Sequence, residues 1–156
     1  MEQLDPHNYA LALSILAKAQ DMTLASIRSD GRAHATTISF ASDELTLFAA
    51  IGIDSLKANN IRINPQVALT VNLPYADWNE IRGMSIEGHA DILHEPDEVR
   101  VAAALLLHRF PQFANFIGDT QIVPWPGTLY LRIRPRSISL LNYAEGFGHT
   151  RYFELV

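Results

Sequence analysis

The residues whose types and spacing most directly imply chemistry are Asp54-Ser55-Leu56-Lys57. A hydroxyl at the mouth of a helix, backbone N–H groups without intrahelical partners, and an ammonium two residues on make a compact anion site suited to a phosphate. The same residues admit a plainer account, in which Ser55 caps the helix and Lys57 is solvated. Near the C-terminus, Gly146-Phe147-Gly148-His149 places an aromatic ring between two glycines. Glycine there permits close backbone approach to a ligand, or simply a turn after the last strand.

Other routes to chemistry close quickly. The histidines are His7, His34, His89, His94, His108 and His149, and no two stand at i, i+4. His89 and His94, five apart on a strand, point to opposite faces, so no metal site is expected. Ser55, Ser85 and Ser137 lie in no Gly-x-Ser-x-Gly elbow, and no carboxylate pair stands out. Zero Cys removes disulfide scaffolds, thiolate catalysis, iron–sulfur clusters and cysteine-based zinc. A ligand site with no protein-borne nucleophile implies that hard chemistry comes from a cofactor, and no catalytic residue is assigned.

The elements that must position these groups read as follows. Asp5-Pro6 is an N-cap with proline at the first helical position, and the helix runs to about Gln20. Its middle is apolar almost all round, which predicts burial on two sides, against its own barrel and a second chain. Met22–Arg28 and Ala33–Ala41 form a hairpin closed by Asp30-Gly31, and Glu44–Ile51 is a third strand. Ser55–Asn64 is a short helix ending before Pro65. Val67, Leu69, Val71 and Leu73 alternate with polar or small residues in a fourth strand, and Arg82–Leu93 is a fifth, with Met84, Ile86, Gly88, Ala90 and Ile92 on one face.

Glu95-Pro96-Asp97-Glu98 starts a helix that ends near Arg109, and residues 112–127 are irregular, with Pro124 and Pro126 flanking Trp125. Thr128–Tyr143 is the last strand, and Pro135 within it demands an edge or a bulge. The fold class is mainly β: a six-stranded antiparallel split β-barrel with flanking helices, as one domain over residues 1–156. The core should contain Val67, Leu69, Val71, Met84, Ile86 and Ile133.

Composition sets the outer limits. The chain has 156 residues, 48% apolar and 19% charged, which suits one ordinary globular domain. Twelve Lys and Arg against 17 Asp and Glu leave a net charge of −5, so a nucleic-acid partner is not expected. No cationic and apolar leader opens the chain, and no apolar run reaches the roughly 20 residues of a membrane span. The expectation is a cytoplasmic protein with no membrane partner.

The order of short segments carries a family resemblance. Met22-Thr23-Leu24-Ala25-Ser26-Ile27, Asp30-Gly31-Arg32-Ala33-His34-Ala35-Thr36-Thr37, Ser55-x-Lys57-x-x-Asn60-Ile61, Asn64-Pro65-x-Val67-Ala68-Leu69, Ile86-Glu87-Gly88-His89-Ala90 and Leu131-Arg132-Ile133-Arg134-Pro135-x-x-Ile138 follow one another along nearly the whole chain from residue 22. This succession resembles the pyridoxamine 5′-phosphate oxidase-like, flavin-binding split-barrel superfamily. The resemblance implies a homodimer with one FMN in each of two clefts between subunits. It implies that Ser55 and Lys57 grip the phosphate and that Asn60 of the same motif is a cofactor-binding residue. Thr36, Thr37 and Ile38, and Ala50 and Ile51, would lie along the flavin, with His149 or Trp125 as lid or stacking groups.

The departures from the family pattern are equally specific. Leu56 stands where the oxidases proper carry arginine, and Ala35 where they carry a basic residue. Their C-terminal Trp…Arg-Leu signature has no counterpart in Tyr143–Val156, and the Gly146-Phe147-Gly148-His149 ending is similar to that of stress-protein-like members. The resemblance therefore implies an FMN-dependent oxidoreductase acting on a small-molecule substrate that the chain does not identify. The alternative is a non-catalytic protein that binds flavin, deazaflavin or haem.

Overall fold

The computed structural model describes residues 2–117 and 126–155. After a two-residue strand β1 (Glu2–Gln3), the Asp5 carboxylate accepts the Asn8 N–H at 3.0 Å and opens α1 (Pro6–Lys18). Then come β2 (Asp21–Ile27) and β3 (Ala33–Ser39), joined through Gly31, whose φ of 87° suits glycine in the turn. β4 (Ala41–Asp43), β5 (Thr46–Gly52), α2 (Leu56–Ile63), β6 (Gln66–Asn72) and β7 (Arg82–Leu93) follow. α3 (Pro96–Arg109), α4 (Ala114–Ile117), β8 (Thr128–Asn142) and β9 (Thr150–Glu154) complete the described elements.

Six of the strands form the predicted barrel. They run in the order β3, β2, β6, β7, β8, β5, every neighbouring pair antiparallel. β5 adjoins β3 without a ladder among the described residues, and that seam is the split. At 15 residues, β8 is long enough to pair β5 along its first half and β9 along its second.

The structure corrects several boundaries. The second strand does not continue to Ala41: Phe40 turns fully into the core, and Ala41–Asp43 pairs with β5 instead. Glu44 belongs to the turn of that hairpin, with φ at 51°, so the third strand starts at Thr46. β9 and β1 lie outside the predicted strands, and they pair with each other in parallel, so the sheet is not wholly antiparallel. Pro135 sits at a bulge: Gly88 pairs with Pro135 and Glu87 with Ser137, leaving Arg136 as the extra residue.

The barrel interior contains all six predicted core residues, together with Ile15 and Leu16 of α1 and Phe153 of β9. A second core lies outside the barrel wall, where α3 lays Val99, Ala102 and Leu106 against Phe48, Leu93 and Tyr130. This explains why β5 is apolar without alternation: Leu47, Ala49 and Ile51 face in, while Phe48 is covered by the helix. α1 buries one stripe, Asn8, Ala12, Ile15 and Leu16, and leaves Ala10, Ala17 and Lys18 exposed. Among the described residues no helix is long and apolar enough to cross a membrane.

Candidate functional site

The site is assembled where β5 runs out into α2. Ser55 takes the capping role: its Oγ accepts the Ala58 N–H at 3.2 Å and donates to the Gly52 carbonyl at 2.8 Å. The Ser55 and Asn59 N–H groups are also engaged, with Gly52 and Ser55 carbonyls. Helix geometry then leaves the Leu56 and Lys57 N–H groups open at the positive end of the helix. Lys57 itself is half-buried and has no hydrogen bond or ion pair among the described residues. Asp54, just before the cap, is exposed.

Arg62 was not singled out by sequence reasoning, and it shapes this loop. Its guanidinium donates to the Ile53 carbonyl at 2.9 Å and to Asn59 Oδ1 at 2.7 Å, tying the approach to α2 back onto the helix. The Asn59–Arg62 spacing of three residues is the signal that could have revealed it.

β3 supplies the second wall. Its alternation puts His34, Thr36 and Ile38 on the face shared with Ser26, Leu24 and Met22 of β2, while Thr37 points outward beside Thr23. Thr36 and Thr37 therefore serve opposite faces. Thr36 Oγ1 and His34 Nδ1 are buried and have no hydrogen-bond partner. Asn60 is buried, 3% exposed, and donates to Ser26 Oγ at 3.1 Å, so its side chain joins α2 to β2 inside the barrel. Ile51 also faces the core, and its backbone pairs with Leu129 of β8, so its side chain does not reach the groove that Ile38 and Ala50 line.

Ile38 and Ala50 come together across the seam, on the wall of a groove of about 360 Å³. Its other wall is the end of α3 and the segment after it, with Leu106, Phe110, Phe113 and Phe116. Sequence reasoning missed this wall, because residues 112–127 show no period of 2 or 3.6 from which to recognise a face.

The remaining nominated residues are elsewhere. His149 ends the β8–β9 turn, its Nε2 2.8 Å from Glu145 Oε2, beside Phe147, which stacks on Trp78 with ring centroids 5.4 Å apart. Glycines at φ 141° and 79° build that turn. It adjoins the Arg82 end of β7, whereas the β5–α2 junction adjoins the Leu93 end. The 12 residues of β7, a strand on the order of 35 Å long, separate the two within one chain. Trp125 lies outside the described residues. Among the described residues no three His, Asp or Glu gather as metal ligands would.

The residues present fit FMN on three counts. An open helix start with an unpaired lysine suits a phosphate. The orphaned Thr36 hydroxyl suits the polar edge of a flavin, since a buried hydroxyl left without a partner is costly. The apolar Ile38 and Ala50 suit the face of its ring.

A family model described as pyridoxamine 5′-phosphate oxidase matches residues 11–140. The fold is similar to that of a haem-binding protein from Mycobacterium smegmatis, with a TM-score of 0.80 at 16% identity, over 96% of this chain and 59% of that one. It is similar to General Stress Protein 26 from Bacillus anthracis, with a TM-score of 0.64 at 17% identity, over 96% and 99% of the two chains. HutZ, the haem storage protein from Vibrio cholerae, gives 0.66 at 16% identity, over 86% and 91%. The chain thus spans 59% of the length of the mycobacterial protein. No curated protein matches the chain.

Proposed function

The chain belongs to the pyridoxamine 5′-phosphate oxidase family, and from that premise we propose that it is an FMN-binding oxidoreductase acting on a small molecule, as a homodimer in the cytoplasm. The observation that carries this reading is the open start of α2, where Lys57 stands half-buried and unpaired directly after β5. An ammonium held there without a counter-charge is stabilised by the arrival of an anion.

The roles of the residues follow from their positions. The Lys57 ammonium and the Leu56 and Lys57 N–H groups hold the phosphate, while Ser55 keeps the helix start in shape. Thr36 meets the polar edge of the ring, and Ile38 and Ala50 cover its face and exclude water. When bound, FMN supplies hydride or single-electron exchange at its ring, which the side chains of this site cannot. Leu56 and Ala35 replace two of the cations on which the oxidases proper rely, which supports a substrate other than pyridoxamine phosphate.

The homodimer is supported by the outer face of the barrel, where β2, β3 and β6 present Thr23, Ala35, Thr37, Ala68 and Thr70 to solvent. Small uncharged side chains let a second sheet approach closely. A second copy also offers the route by which His149 reaches a flavin, since its own chain keeps it at the far end of β7. Sedimentation at micromolar concentration checks the dimer. Incubation with FMN followed by gel filtration checks the cofactor: the protein peak is expected to carry the flavin spectrum, and a colourless peak refutes the reading.

Haem is the second reading. It is supported by the haem-binding and haem storage proteins of similar fold and by the unpartnered His34 Nδ1 on the cofactor face of β3. A Soret band after incubation with haemin, lost in His34→Ala, is its expected signature.

A further inference from the structure

We infer that the groove between β3, β5 and the α3–α4 segment is the substrate site and that it takes a neutral aromatic molecule. The inference rests on the flavin reading only in calling that molecule a substrate. Ile38 and Ala50, against which the ring lies in that reading, form one wall, so a ligand held on the opposite wall stacks over the cofactor. Leu106, Phe110, Phe113 and Phe116 form the other, and about 360 Å³ is at the small end of the range for small-molecule sites.

Charge decides the class of ligand. No charged side chain lines the groove among the described residues, and its polar groups are those of Ser39 and Gln112. The cation beside it is already engaged: Arg109 donates to the Leu16 carbonyl at 3.0 Å and the Ala17 carbonyl at 3.3 Å. Phe40 and Phe110 also pack against its guanidinium, 4.9 and 5.8 Å from their ring centroids. A substrate phosphate or carboxylate would have to break those contacts or enter uncompensated. Phe116, 80% exposed at the groove, is a large apolar surface that a flat ring would cover by stacking.

N-phenyl-1-naphthylamine, a neutral aromatic that fluoresces in apolar surroundings, reads this site in the intact protein. The expected result is saturable enhancement, with affinity reduced about 10-fold by Phe116→Ala. Phe116→Trp is expected to restore it, and pyridoxamine 5′-phosphate to leave it undisplaced. Phe116 is exposed enough for both substitutions to leave the fold intact.

Absence of saturable enhancement, indifference to Phe116→Ala, or displacement by pyridoxamine 5′-phosphate overturns the inference. FMN titration of the same samples separates the two readings. A protein that binds FMN and not the naphthylamine refutes this inference alone. A protein whose groove binds the naphthylamine but which ignores FMN refutes the flavin reading and supports an aromatic site.

Discussion

The guanidinium of Arg109 donates a hydrogen bond to the backbone carbonyl of Leu16 at 3.0 Å, across 93 residues of sequence. With the second bond to Ala17, a cation from the end of α3 caps the last carbonyls of α1, where the negative end of the helix dipole and the unpaired C=O groups both favour it. The contact also ties the outer core under α3 to the barrel core that α1 closes.

Arg109→Ala is therefore expected to cost about 2 kcal/mol, the scale of hydrogen bonds to a charged group at a partly buried site. Arg109→Lys should recover only part of this, because one ammonium cannot fork to two carbonyls and stack on Phe40 at once. Urea midpoints of the three proteins check it. Equal midpoints for wild type and Arg109→Ala would mean that α1 is capped by water just as well.

Gly88 is required by the close approach of two backbones at the bulge. A Cβ there would fall 2.6 Å from the Arg134 carbonyl oxygen and 3.3 Å from Pro135 Cα, and neither can swing aside as a flexible side chain would. Gly88→Ala should cost about 3 kcal/mol through overpacking. Gly52→Ala, whose Cβ would meet only Ser55 Cβ at 3.8 Å, should change stability by less than about 0.5 kcal/mol. The pair of melting curves tests the bulge itself. If both variants melt alike, the register across Glu87 and Gly88 is wrong.

Burial pushes the Tyr130 phenol from its ordinary 10.0 up to about 12. With its folded value above its unfolded one, the stability that the neutral phenol contributes is complete below pH 10 and is lost as the pH rises towards 12. Tyr130→Phe should accordingly show a flatter stability curve over that window. Parallel curves for variant and wild type would assign the alkaline transition to another group.

What the sequence revealed of this fold was its local part. Asp5-Pro6, Asp30-Gly31 and the alternation of Val67, Leu69 and Val71 act within a few residues, so their structures follow from residue type. What stayed hidden was decided over long separations. β9 has one buried residue, Phe153, and becomes a strand because the second half of β8 offers it an edge. Phe48 and Tyr130 break the in–out alternation only because α3 covers the outer wall. At the site, Ser55 and Lys57 were legible because a helix start is a local object. The distance between His149 and Lys57 was not, because it is set by which ends of β7 their loops adjoin.

The phosphate contact gives the sharpest test of the cofactor. Lys57→Ala removes a charge-assisted bond worth about 1.5–3 kcal/mol, so FMN affinity should fall by roughly 10- to 150-fold. Riboflavin has no phosphate, so it should bind wild type weakly and be almost indifferent to the substitution. Ser55→Ala should act differently. It strips the Ala58 N–H of its cap and costs about 1 kcal/mol of stability, while the open Leu56 and Lys57 N–H groups remain for the ligand. Two ligands and two variants thus separate a lost charge from a frayed helix, since general damage would weaken FMN and riboflavin together. Equal binding of FMN and riboflavin by wild type, or an FMN affinity unmoved by Lys57→Ala, would place the anchoring contact away from α2. The cofactor would then be one held by its ring system, and the unpartnered His34 beside Thr36 would become the first residue to test for haem.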